Sequence, residues 1–299
     1  MSGLGLRIIS GVLLLGLAIA ALWFGGLLLM GLLAAATVLG AHEFYSMARR
    51  AGYRPLYPAG VALSLLLAMR AYLAGDIAAG AASSRPGSGA EVMVLALVLV
   101  LLLAEQGLFQ QKVLQLEGAG SVIAGRPRPS GVGWADIGIT LAGAVYTGGL
   151  LGYAAMLAAL PASGSKASGT AWLLLVVFGT AACDIGAYAV GSLAGRHKLI
   201  PHVSPAKTWE GLAGGVLGAV ICAVAMSGFL GIGLLQAVVL GIIVCAAAVA
   251  GDLCESLLKR ATGVKDSSNL IPGHGGLLDR LDSILFALLA VYWFVRVSV

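Results

Sequence analysis

Apolar residues run along this chain in blocks too continuous for the alternation of a half-buried strand and too long for one face of a soluble helix. Polar interruptions therefore carry the structural signal. Reading from one interruption to the next gives nine spans, at about 8–23, 24–41, 58–75, 91–104, 136–160, 171–194, 209–228, 231–251 and 280–298. Most approach the roughly 20 residues that a helix needs to cross a hydrocarbon core of about 30 Å. The pattern predicts an all-α, polytopic integral membrane protein of about nine transmembrane helices. The range is eight to ten, because the fourth span is short and the first two are divided only weakly.

The segments between spans alternate in basic content. With a cytoplasmic N-terminus, the inner segments hold fourteen of the eighteen Lys and Arg residues; outside remain Arg85, Lys166 and Arg296, with Arg70 able to snorkel from the third span. This places the protein in a cytoplasmic membrane with its N-terminus and its charged loops on the cytoplasmic side.

Composition agrees. Of 299 residues, 60% are hydrophobic and 10% charged, against about 25% charged in an average soluble domain. The chain reads as a single membrane domain over 1–299, with scaffold helices facing lipid in 1–135 and the catalytic helices and loops in 171–299. The bilayer is its obligatory partner, and no nucleic-acid partner is expected. The first apolar run carries Ala18-Ile19-Ala20, superficially a cleavage site, but apolar sequence continues to Ala41, so the run reads as a retained anchor. Cys183, Cys222, Cys245 and Cys254 lie in or beside apolar runs without ligand-like spacing and read as small buried hydrophobes. Glycines four apart, such as Gly148 and Gly152, Gly191 and Gly195, and Gly211 and Gly215, predict close helix packing and permit a homodimer.

Candidate chemistry concentrates in the C-terminal half. Seven of thirteen acidic residues, Asp184, Glu210, Asp252, Glu255, Asp266, Asp279 and Asp282, fall there at or near span ends. Asp252 and Glu255 are three apart, as are Asp279 and Asp282, so on helices each pair shares a face and can offer two carboxylates to one cation. Oxygen ligands without a His or Cys cluster favour Mg²⁺ over zinc. Lys259, Arg260, Lys265 and Arg280 are interleaved with these acids, a mixture suited to holding a metal ion while neutralising phosphate. His274, Gly275 and Gly276 precede the last span, where glycine amides at a helix start could approach an anion. Asp184 lies within an apolar span and should face a polar cavity, with Tyr188 one turn away. Ser204, Lys207, Thr208 and Glu210 lead into the seventh span as candidate polyphosphate contacts.

These residues resemble the phosphatidate cytidylyltransferase (CDP-diacylglycerol synthase) family. Its C-terminal signature is similar to Ser256-x-Leu258-Lys259-Arg260, then Lys265-Asp266, Ser268, Ile271-Pro272, His274-Gly275-Gly276-Leu277 and Asp279-Arg280-Leu281-Asp282, matched throughout 27 residues. The stretches Asp184–Tyr188 and Ser204–Gly211 resemble two further motifs, and residues 42–55 look like the family's first cytoplasmic loop. Ala206 and Ser192 depart from the usual polar or basic residues.

The resemblance implies transfer of CMP from CTP to phosphatidate, giving CDP-diacylglycerol and pyrophosphate. It also implies one or two divalent cations, Mg²⁺, with or without a monovalent cation. Metal would sit on Asp252, Asp279, Asp282 and Glu255, with Asp184 close by. Two alternatives stay open: a CTP-dependent polyprenol or dolichol-type lipid kinase, and, from another class, an ion-coupled transporter using Asp184 and Arg70.

Overall fold

The computed structural model describes residues 11, 16–80, 134–160, 168–268, 270 and 275–298, with side chains described as far as Arg70 in the second helix. The span expected at 91–104, the start of the first span and His274 lie outside the described residues. Residues 16–24 are helical. The division expected between the first two spans falls at Gly25 and Gly26, whose φ of 58° and 50° suits glycine and few other residues.

Seven longer helices follow. They are α1 (Gly26–Arg50), α2 (Tyr57–Gly80), α3 (Trp134–Ala158), α4 (Gly169–Ala194), α5 (Trp209–Leu230), α6 (Leu234–Thr262) and α7 (Leu278–Ser298). All but α2 are long and apolar enough throughout to cross a membrane, giving six such helices among the described residues; α2 contributes a shorter apolar stretch, Tyr57–Arg70. The chain is thus a mostly helical, polytopic integral membrane protein. Between α4 and α5 lies a small antiparallel hairpin, β1 (Lys198–Ile200) and β2 (Ser204–Thr208).

One expectation is corrected. Residues 42–50, read as the start of a loop, continue α1 to Arg50. Phe44, Tyr45, Met47 and Ala48 bury there with the rest of the core, so packing extends the helix beyond its purely apolar part.

Several helix ends meet at one face of the bundle. The C-terminus of α1 meets the start of α2 where His42 Nδ1 contacts Tyr57 Oη at 2.9 Å. The Arg54 amide donates to Asp136 at the start of α3 at 2.7 Å. The end of α4, the hairpin, the start of α5, the end of α6 and the start of α7 gather at this same face.

Small residues set how closely the helices approach. A side chain on Gly215 would press on Cys183, one on Gly191 on Thr208 and Gly211, and one on Gly152 on the α2 backbone. Backbone proximity of this kind substitutes for the hydrophobic drive that helices lack in lipid. Cys183 and Cys245, buried and in contact at 3.1 Å, take part in the α4–α6 packing as free thiols.

Candidate active site

The site forms where α6 and α7 touch. A Cβ on Gly251 would collide with the backbone of Asp282 and Ser283, so glycine here brings the charged end of α6 directly onto the first turns of α7. From Leu234 to Gly251, α6 is uninterruptedly nonionic for about 27 Å at 1.5 Å per residue. The next residue, Asp252, therefore stands near the edge of the hydrocarbon layer.

Two adjoining cavities open at this level. One, of about 310 Å³, is polar and is lined by Asp184, Asp252, Glu255, Lys259, Asp266, Asp279, Arg280, Asp282 and Ser283. The other, of about 420 Å³, has mainly apolar walls from α4, the hairpin and α5, including Tyr188, Leu199, Ser204, Lys207 and Leu212. Asp184 and Asp252 line both.

Two lysines organise the carboxylates. Lys207 Nζ, at the end of the hairpin, lies 2.7 Å from Asp252 Oδ2, while Ser256 Oγ donates to the other oxygen at 3.2 Å. Lys259 Nζ donates to Glu255 Oε2 at 3.0 Å and to Asp279 Oδ1 at 2.8 Å. Asp279 also accepts from the Ser267 and Gly276 amides at 3.1 and 2.8 Å and lies 3.0 Å from Ser267 Oγ. Of the four acids expected to hold metal, it is the one already surrounded by protein donors.

Glu255 is the opposite case. It is 1% exposed, its Oε1 has no hydrogen-bond partner, and Asp279 and Asp282 are its neighbours. Acceptor-only groups facing one another call for a cation or a proton between them. Tyr146, on a π-helical turn of α3, Val145–Gly149, approaches the same group and likewise buries an unpartnered hydroxyl. Such turns often occur at functional sites. The all-oxygen donor set and the orphaned Glu255 oxygen fit a hard divalent cation. Among the described residues no three His, Cys, Asp or Glu side chains are grouped as ready-made ligands; Lys207 pairs with Asp252, and Lys259 with both Glu255 and Asp279.

The remaining candidates divide. Arg280 lines the polar cavity, Tyr188 stands exposed at the apolar one, and Ser204 pairs with Ile200 in the hairpin. Arg260 donates to the Val203 carbonyl at 3.4 Å and thereby ties α6 to the hairpin turn. Thr208 caps α5 by accepting from the Gly211 amide at 3.0 Å. Glu210 accepts from the Arg196 and His197 amides at 3.1 and 3.2 Å and contacts His197 Nδ1 at 2.6 Å, so it clips the hairpin shut. Lys265 is exposed and lines neither cavity.

The glycines before α7 act differently from the expectation. Gly276 and the two residues after it point their amides at Asp279 and Glu43. Protein carboxylates already occupy this helix start, so these amides do not wait for a substrate anion. Gly275 adopts φ 80°, and a side chain there would crowd Asp279.

Glu43 was not among the candidates. It reaches from α1 into the far end of the chain, and the signal available for it was a lone acid next to an apolar run, where an unpaired charge is costly. Ending the span at Ala41 placed it in a loop and concealed that signal.

Fold and site together define a helical membrane protein whose ionic chemistry is gathered at one end of the bundle, beside an apolar cavity. The chain belongs to the cytidylyltransferase family, whose model matches residues 5–298. It is 33% identical over 280 residues to a phosphatidate cytidylyltransferase of Mycobacterium bovis, covering 92% of this chain and 82% of that one. A phosphatidate cytidylyltransferase of Synechocystis is 32% identical over 320 residues, covering 97% and 95%. One from Haemophilus influenzae is 46% identical over 123 residues, covering 39% of this chain and 43% of that one.

Proposed function

We propose that this protein transfers CMP from CTP to phosphatidate, releasing pyrophosphate and forming CDP-diacylglycerol. The observation that carries the reading is the shared wall of Asp184 and Asp252 between a polar, carboxylate-lined cavity and an apolar one. A water-soluble triphosphate suits the first and a lipid the second. The names of the relatives support the same substrates.

In this reading an oxygen of the lipid phosphate attacks the α-phosphorus of CTP. The bond from that phosphorus to the bridging oxygen breaks, and the electron pair leaves with pyrophosphate. The lipid phosphomonoester is already ionised at neutral pH, so positioning and charge compensation are the main tasks of the protein. Lys207, Lys259 and Arg280 face the cavities and would offset the repulsion between the two anions. Asp252, Glu255 and Asp282, with Asp279 beside them, would hold Mg²⁺, one or two ions with or without a monovalent cation. Bound there, the ion would supply charge stabilisation of the departing pyrophosphate.

The charged end of the bundle faces the cytoplasm in this proposal, supported by the basic residues collected at that end and by the cytosolic nature of CTP. The test is an assay of the purified protein with α-labelled CTP and, in parallel, γ-labelled CTP, each with either phosphatidate or a polyprenol. Label in CDP-diacylglycerol is the expected result. Transfer of the γ-phosphate to the alcohol would replace this reading with a lipid kinase.

A transporter reading loses its pair. Arg70 interacts with Tyr153 and Tyr292, and Tyr292 is about 20 Å along α7 from Asp279.

A further inference from the structure

Glu43 is 1% exposed and comes from α1, more than 220 positions before the groups it binds. Its two oxygens receive four donors: Ser268 Oγ at 2.6 Å and the Leu277 amide at 2.8 Å on Oε1, Ser267 Oγ at 3.0 Å and the Leu278 amide at 2.8 Å on Oε2. That fills the capacity of a carboxylate. The two amides are among those at the start of a helix that lack an intrahelical acceptor, and a negative charge is favoured there.

A cap alone would need only an acceptor. The additional observation is Ser267, whose Oγ lies 3.0 Å from Glu43 Oε2 and 3.0 Å from Asp279 Oδ2. Its one hydroxyl proton sits between the two carboxylates, and Asp279 in turn holds Lys259. Gly276 is fitted to this arrangement, since a Cβ there would come within 2.7 Å of Glu43 Oε2. Glu43 lines neither cavity, so it acts on the site through other residues.

We propose that Glu43 is a positioning residue for the transfer reaction, fixing Asp279 and the Lys259 ammonium through Ser267. The proposal rests on the functional reading above. Two variants probe it. In Glu43→Gln the side-chain amide group cannot accept from a backbone N–H, so one of the two caps is lost. In Ser267→Ala both caps remain, the Ser267 amide still donates to Asp279, and only the hydroxyl shared by Glu43 and Asp279 is lost.

The experiment uses the full chain in detergent micelles: wild type, both single variants and the double. It reads initial rates against CTP concentration, with phosphatidate as acceptor, and amide hydrogen exchange across 264–282. Each single variant should lower kcat about tenfold or more with KM for CTP within about threefold. The double variant should be no slower than the worse single, as expected for groups acting in one line. Exchange in 275–282 should accelerate about tenfold in Glu43→Gln.

Wild-type kcat in Ser267→Ala, or losses that multiply in the double variant, overturns the proposal; so does unchanged exchange in Glu43→Gln. Should Glu43→Gln fail to accumulate, Ser267→Ala decides through kcat. If wild type forms no CDP-lipid, the functional reading fails on its own, and hydrogen exchange alone decides whether Glu43 orders the segment.

Discussion

Lys259 Nζ lies 2.8 Å from Asp279 Oδ1, so a single ammonium joins the last turns of α6 to the first turn of α7. The same nitrogen holds Glu255 one turn earlier on its own helix. Both carboxylates are largely removed from solvent.

Replacing Lys259 with Met leaves two buried acids without their counter-charge. Breaking a buried ion pair from one side costs about 3–5 kcal/mol. Thermal unfolding in detergent should show a clear loss of stability, and CMP transfer should fall below detection. Adding Glu255→Gln to Lys259→Met should recover part of the stability and none of the activity; recovery of both would mean that Lys259 has no part in turnover.

Asp279→Asn retains one acceptor oxygen for four neighbours and removes the charge that Lys259 faces. The protein should still insert into membranes at wild-type amounts, while kcat drops about a hundredfold or more. Radiolabelled CDP-diacylglycerol formation per unit of immunodetected protein measures it, and activity within about threefold of wild type would count against the assignment of Asp279 to the site.

Gly251→Val should push α7 away from α6 at Asp282. A displacement of about 1 Å between catalytic groups can cost a hundredfold in rate, so kcat should fall steeply. Gly228→Ala serves as the control, because nothing lies within 4 Å of the added carbon, and it should behave as wild type.

Glu210→Gln and Lys207→Gln should differ in kind. Glu210 clips the hairpin, so its variant should lower the unfolding temperature slightly and lose a few-fold in kcat, with His197→Ala similar and the two not additive. Lys207 lines the apolar cavity from the hairpin, beside Asp252, and its variant should raise KM for phosphatidate. Steady-state kinetics distinguish them: a total loss of activity in Glu210→Gln with His197→Ala silent would return Glu210 to the list of phosphate or metal contacts.

Much of the fold was legible because hydropathy reports the bilayer directly: α4, α5 and α7 fall close to their expected bounds, while α6 continues past its expected end at 251 to Thr262 and carries Asp252, Glu255 and Lys259 on the helix. The carboxylate pairs were legible too, since helical spacing brings Asp252 with Glu255 and Asp279 with Asp282. What spacing could not give was the division of labour within each pair. Asp252 turns to Lys207 of the hairpin, a partner distant in sequence, while Glu255 shares Lys259, one turn on, with Asp279 of α7. Thr208 and Glu210 looked like ligands in sequence, where a helix cap and a phosphate contact use the same residue types. Glu43 was missed for a different reason: a lone acid beside an apolar run was its one signal, and its partners are distant in the chain and brought together by the folded bundle.

The grip of α1 on the opening residues of α7 also limits how this protein can be divided. A chimera that grafts the C-terminal helices onto a foreign membrane scaffold would carry the recognisable signature and yet lack the acid that seats it. Such a graft should become active only when its new N-terminal portion supplies a glutamate at the equivalent depth.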